Sequence, residues 1–158
     1  MGRLIIGVIL LTSSFTLSGR ERKDQGLKPF VTDGCTLFID GPPRRPNLWR
    51  HCCVEHDLRY WLGGNLNDRN IADLRLRSCV EAASSKKWGD IIYWGVKTGQ
   101  RSPIKFGHRW NWGWLIAREL ITLNANEIQI AIEELRRLPI DQAFIEEFIE
   151  LNFPNSSE

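Results

Sequence analysis

One stretch of this 158-residue chain gathers residue types that do chemistry: His51-Cys52-Cys53-Val54-Glu55-His56-Asp57-Leu58-Arg59-Tyr60. Further carboxylates and thiols stand upstream at Asp33-Gly34-Cys35 and downstream at Asp73 and Cys79. An imidazole hydrogen-bonded to a buried carboxylate is held in one tautomer, and its other nitrogen is free to take a proton from water. His56 with Asp73 would be such a general base. Tyr60, one helical turn beyond His56 on the same face, would reach the same carboxylate. Asp57 points about 100° round the helix from His56 and cannot share that role. With Asp33 and the carbonyls beside Gly34 it offers hard oxygen ligands suited to calcium. A cation next to a His–Asp base implies attack of water on a carbonyl or phosphoryl group whose developing charge the metal stabilises. Zinc is the competing reading of His51, Cys52, Cys53 and His56, but adjacent cysteines on one helix diverge and rarely ligate one ion.

This chemistry needs two helices in a fixed register. Asn47 can cap a helix from about Leu48 to Leu62, which Gly63-Gly64 terminates. A second helix begins after Asn67-Asp68, with Ile71, Leu74, Val80 and Ala83 at roughly helical spacing up to Ser84. Helices joined by a short Gly-rich turn pack antiparallel, so residues equidistant from the turn face one another. Cys52 then meets Cys79, and His56 meets Asp73. A Cys52–Cys79 disulfide would fix that register, and a Cys35–Cys53 disulfide would hold the Asp33 loop against the helix beside Asp57. Residues 20–47 are rich in Gly, Pro and charge and read as loop. Residues 88–114, with Trp88, Trp94, Trp110, Trp112 and Trp114 among several glycines, read as a mixture of helix and loop. Further helices are expected from about Trp114 to Leu123, Glu127 to Leu138 and Asp141 to Leu151, the last with Phe144, Ile145, Phe148 and Ile149 on one side. No strong strand pattern occurs, so the fold class is mainly α.

Cys52-Cys53-Val54-Glu55-His56-Asp57-Leu58-Arg59-Tyr60 resembles the Cys-Cys-x-x-His-Asp-x-x-Tyr helix of secreted phospholipase A2. Thr32-Asp33-Gly34-Cys35 followed by Asp40-Gly41-Pro42 resembles the shortened calcium loop of its bacterial and fungal members. The resemblance covers residues 32–80, including Asp73 six residues before Cys79. It implies two antiparallel, disulfide-linked core helices of phospholipase A2 type, with additional helices after them. It also implies that His56 activates a water and Asp73 orients it, with Tyr60 in support. Asp57, the Asp33 side chain and the Gly34 carbonyl would hold calcium as cofactor. The reaction implied is hydrolysis of the sn-2 ester of a glycerophospholipid at a membrane surface or micelle. A lipid- or membrane-binding relative without turnover, and a hydrolase of another acyl ester, are the alternatives. A further cystine of the animal enzymes falls here at Arg59 and Ala72, so both of its halves are missing together.

Residues 1–19 carry Arg3, the apolar run from Leu4 to Leu11 and then Thr- and Ser-rich sequence, the layout of a secretory signal peptide. The apolar run is too short for a bilayer span. Export, secreted or periplasmic, would favour paired cysteines. Residues 20–158 then read as one phospholipase A2-like domain with a C-terminal helical extension from about 115 to 158. A net charge of +2 argues against a nucleic-acid binder. That charge is segregated, because Glu127 to Glu150 holds seven acids against Arg136 and Arg137, while Arg101, Lys105 and Arg109 lie among tryptophans. Trp110, Trp112, Trp114 and Arg109 suit the headgroup region of a bilayer. The competing reading is that these aromatics cover the two-helix core.

Overall fold

The computed structural model describes residues 26–36, 38–101 and 108–154. The segment 1–19 expected to be a signal peptide, and Lys105, lie outside them. The described chain is mainly helical: α1 (Arg50–Leu62), α2 (Leu66–Ala83), α3 (Lys86–Arg101), α4 (Ala125–Arg136) and α5 (Gln142–Asn152). An isolated antiparallel bridge pairs Leu27 with Trp114. No helix among the described residues is long and apolar enough to cross a membrane.

Helix α1 does not start at an Asn47 cap. It starts after Trp49, which is fully buried; its backbone N–H donates to the Asp40 carbonyl at 2.9 Å and its indole to the Ile39 carbonyl at 2.8 Å. Burial of this large ring, rather than a side-chain cap, sets the first turn. At the other end Gly63 lies at φ 74°, and an added Cβ there would stand 1.5 Å from Asn111 Oδ1. Only glycine fits that position. Helix α2 begins slightly earlier than its expected start because Asn65 and Asp68 form a reciprocal capping box. α3 folds back along α2, and the two approach closely at Gly89, where a Cβ would meet the Arg77 carbonyl at 2.7 Å. Arg77 pairs with Asp90 across this hairpin, and Lys86 pairs with the same carboxylate one turn away on α3.

Helix α1 is buried from two sides. Toward α2 and α3, Trp49, Cys52 and Cys53 pack with Leu76, Val80 and Ile92. On the other side Leu58, Trp61 and Leu62 pack with Ala131, Ile132 and Leu135 of α4 and Ile145, Phe148 and Ile149 of α5. Each fully buried aliphatic side chain there contributes about 1.5–3 kcal/mol. Arg59 ties the layers together, bonded to Glu55 and Asn152 with its guanidinium over the Phe148 ring.

The helix expected over Trp114–Leu123 is absent. The 110–115 segment instead crosses the end of α1. Asn111 N–H donates to the Tyr60 carbonyl and Gly113 N–H to that of Trp61, and the 26–28 strand pairs with Gly113 and Leu115. These bonds satisfy carbonyls that a helix C-terminus leaves without partners, and they hold Trp114 and Leu115 in extended pairing with residues 26 and 27.

Candidate active site and metal centre

His56 and Tyr60 sit one turn apart on α1, and Asp73 faces them from α2. The Cys52–Cys79 disulfide, with Cα atoms 5.7 Å apart, links the same helices one turn further from their connection. Asp73 is completely buried. Its Oδ1 lies 3.2 Å from His56 Nε2 and accepts the Tyr60 hydroxyl at 2.8 Å. Its Oδ2 accepts Lys97 Nζ at 2.7 Å and Gln100 Nε2 at 2.8 Å, both from α3. Burial works to raise the Asp73 pKa, but the bonds from His56, Lys97, Tyr60 and Gln100 outweigh it and hold it down at about 2. An ionised Asp73 fixes the proton on His56 Nε2 and leaves Nδ1 as the acceptor. Burial, reinforced by Asp73, raises the Tyr60 pKa, so its hydroxyl stays a donor.

Lys97 and Gln100 were not singled out by sequence reasoning. They lie in the tryptophan- and glycine-rich stretch that reads as a mixture of helix and loop. Once α2 and α3 are known to form a hairpin about Ser84-Ser85, the rule that pairs His56 with Asp73 also places Lys97 opposite Asp73.

Asp57 faces the 32–40 loop. Its Oδ2 accepts the Thr32 hydroxyl at 2.7 Å, and the same hydroxyl oxygen accepts Gly34 N–H at 3.1 Å. Gly34 has φ 84°, and a Cβ there would strike Asp40 Oδ1 at 2.4 Å. Asp40 accepts Cys35 N–H at 2.7 Å and pairs with Arg50, which also donates to the Asp33 carbonyl. The Cys35–Cys53 disulfide, with Cα atoms 5.1 Å apart, pins this loop to α1. Carboxylate oxygens of Asp33 and Asp57 and a ring nitrogen of His108 lie within 4.8 Å of one another. Burial raises the Asp57 pKa to about 7; the Thr32 bond opposes this and the neighbouring Asp33 charge adds to it. Two converging carboxylates, one buried and short of counter-charge, fit a hard divalent cation. His108, which no sequence motif singles out, joins this group.

His56, Asp57, Tyr60 and Gly34 line one cleft of about 580 Å³. Its wall on α3 is made by Ile91, Ile92, Val96 and two glycines, Gly95 and Gly99, where an added Cβ would meet nothing within 4 Å. The tryptophans expected at a lipid surface serve the fold instead. Trp114 is buried with its indole on the Leu62 carbonyl at 2.7 Å, and Trp110 donates to the Gly64 carbonyl at 2.9 Å while packing edge-on against Tyr60. Trp112 is half-buried and stacks on Phe30. Indole N–H groups that find backbone carbonyls at a helix end draw their rings inward. Arg109 alone of that set is exposed.

Fold and site together define a mainly helical, twice disulfide-linked scaffold around a buried His–Asp pair, with a carboxylate cluster beside it. No family model, curated protein or solved structure matches the chain.

Proposed function

We propose that this protein is an exported, calcium-dependent lipolytic enzyme of phospholipase A2 type, hydrolysing the sn-2 ester of glycerophospholipids. The observation that carries the reading is the tautomer-fixed His56, on Asp73 and Tyr60, sharing a cleft with Asp57, whose carboxylate converges with that of Asp33. The resemblance of residues 32–80 to that family supplies the substrate class. Phe38, Ile91 and Leu120 line the cleft yet are 40%, 38% and 46% exposed, which suits acyl chains entering from a lipid surface. Two disulfides suit an oxidising, secreted or periplasmic setting.

In this reaction His56 Nδ1 takes a proton from water as the water oxygen attacks the sn-2 carbonyl carbon. Asp73 stabilises the imidazolium that forms, and Lys97 and Gln100 hold Asp73 in place. The bond from the carbonyl carbon to the glycerol oxygen then breaks, and the imidazolium proton passes to that oxygen, giving a fatty acid and a lysophospholipid. Calcium held by Asp33, Asp57 and the Gly34 carbonyl would supply positive charge beside the developing oxyanion. The proposal predicts that His56→Gln loses at least about 10²-fold in turnover, as expected for a general base, while its far-UV circular dichroism is unchanged. A folded His56→Gln variant with full activity would refute it.

A further inference from the structure

We propose that Asp33, Asp57 and His108 form a site for a borderline divalent cation of the zinc class, which competes there with calcium. This deepens the reading above and rests on its assignment of Asp33 and Asp57 as metal ligands. His108 arrives from the segment that crosses the end of α1, remote in sequence from the Asp33 loop, yet one ligand atom from each residue lies within 4.8 Å of the other two. Its ring packs against Trp112, centroids 4.9 Å apart, which restrains its orientation. Asp57 is only 6% exposed; its Oδ2 takes the Thr32 hydroxyl, and its Oδ1 accepts no hydrogen bond among the described residues. Asp33 commits Oδ1 to Thr36 in the same way and keeps Oδ2 for another ligand. The carboxylate of buried Asp57, that of exposed Asp33 and an imidazole therefore converge.

The imidazole decides the class of ion. Calcium takes oxygen ligands, whereas imidazole suits zinc and its neighbours among the transition metals. Three protein ligands are the number that leaves zinc one further position for water. With bonds of about 2.0–2.2 Å, tetrahedral donors stand about 3.3 Å apart, so modest side-chain rotations close the trio on an ion. The other two groups of potential ligands, His51 with Cys52 and Cys79 and Asp40 with Cys35 and Cys53, draw on cysteines already joined in disulfides. Because both ions use Asp33 and Asp57, zinc occupancy withholds calcium from the cleft beside His56.

Isothermal titration calorimetry of the purified chain with zinc chloride, alone and in the presence of calcium chloride, tests this together with His108→Ala. The wild type is expected to bind zinc in competition with calcium. His108→Ala is expected to weaken zinc by about tenfold or more, since even loss of support around a ligand costs that much, and to leave calcium affinity unchanged. Circular dichroism checks its folding, and His108→Gln replaces it if the alanine variant does not fold. Absence of zinc binding, zinc binding that calcium does not displace, or zinc affinity indifferent to His108 overturns the proposal. Zinc bound through His108 by a chain that binds no calcium upholds the zinc site and sinks the calcium reading, so the two fail separately.

Discussion

Asp73 is the residue on which the site turns, because a fully buried carboxylate on α2 carries four donors from two other helices, α1 and α3. Its folded pKa of about 2 lies below its ordinary 3.8. The folded state therefore gains from its ionised form above pH 3.8, and that gain fades as the pH falls through 2. The shift corresponds to about 2 kcal/mol. Urea denaturation from pH 5 to pH 2 should show this loss on acidification, and Lys97→Met, which removes one of the four donors, should make it smaller. An identical pH profile in the variant would contradict the role given to Lys97. Asp57 behaves oppositely, since burial raises it to about 7. A proton competes with the cation below that value, so calcium affinity should fall as the pH drops from 8 to 5, read by calorimetry. The pairing of His56, Tyr60 and Asp73 was legible because helical periodicity and hairpin register are local rules. His108 was not, since its partners come from a loop remote in sequence.

At the scale of elements, α1 and α2 follow the expected boundaries to within three residues, because Gly63-Gly64 and the Asn65 box punctuate them. The expected helix at 114–123 failed for a reason that periodicity does not carry: Trp114 and Leu115 are held in pairing with residues 26 and 27 where the chain crosses the end of α1. The tryptophans of that segment admit two readings, and the indoles of Trp110 and Trp114 decide for the core. Helix α3 spends two glycines, Gly95 and Gly99, on open space beside the site. A glycine in a helix interior costs about 1 kcal/mol relative to alanine, so the empty volume is what these positions gain. Gly95→Leu and Gly99→Leu should each raise thermal stability while lowering hydrolysis of long-chain lipids more than of short-chain esters. Equal loss on both substrates would contradict an acyl-chain role for this wall. Register across α1 and α2 is a separate matter. Replacing Cys52 and Cys79 together by alanine should cost about 3 kcal/mol in urea unfolding.

For the whole molecule, the division is between an α1–α2–α3 half that holds His56, Tyr60 and Asp73 and an α4–α5 half that covers the back of α1. Leu135, fully buried between them, tests this separation. Leu135→Ala should destabilise by about 2–5 kcal/mol and leave turnover at low temperature unchanged. The sequence indicated the helices of the C-terminal half through their apolar spacing, but not that they pack on Leu58, Trp61 and Leu62, because an apolar face does not name its partner. The near-neutral total charge likewise conceals an acidic α4–α5 surface, while the cleft is lined by apolar side chains together with His56, Asp57 and arginines. The central claim is that His56, Asp73 and a calcium ion held beside them cleave one particular ester. The direct measurement is mass-spectrometric analysis of vesicles whose phospholipids carry different acyl chains at sn-1 and sn-2, incubated with the purified protein in calcium or in chelator. Release of the sn-2 fatty acid in calcium, abolished by chelator and by His56→Gln, is the predicted result; vesicle binding with no calcium-dependent fatty-acid release would contradict it.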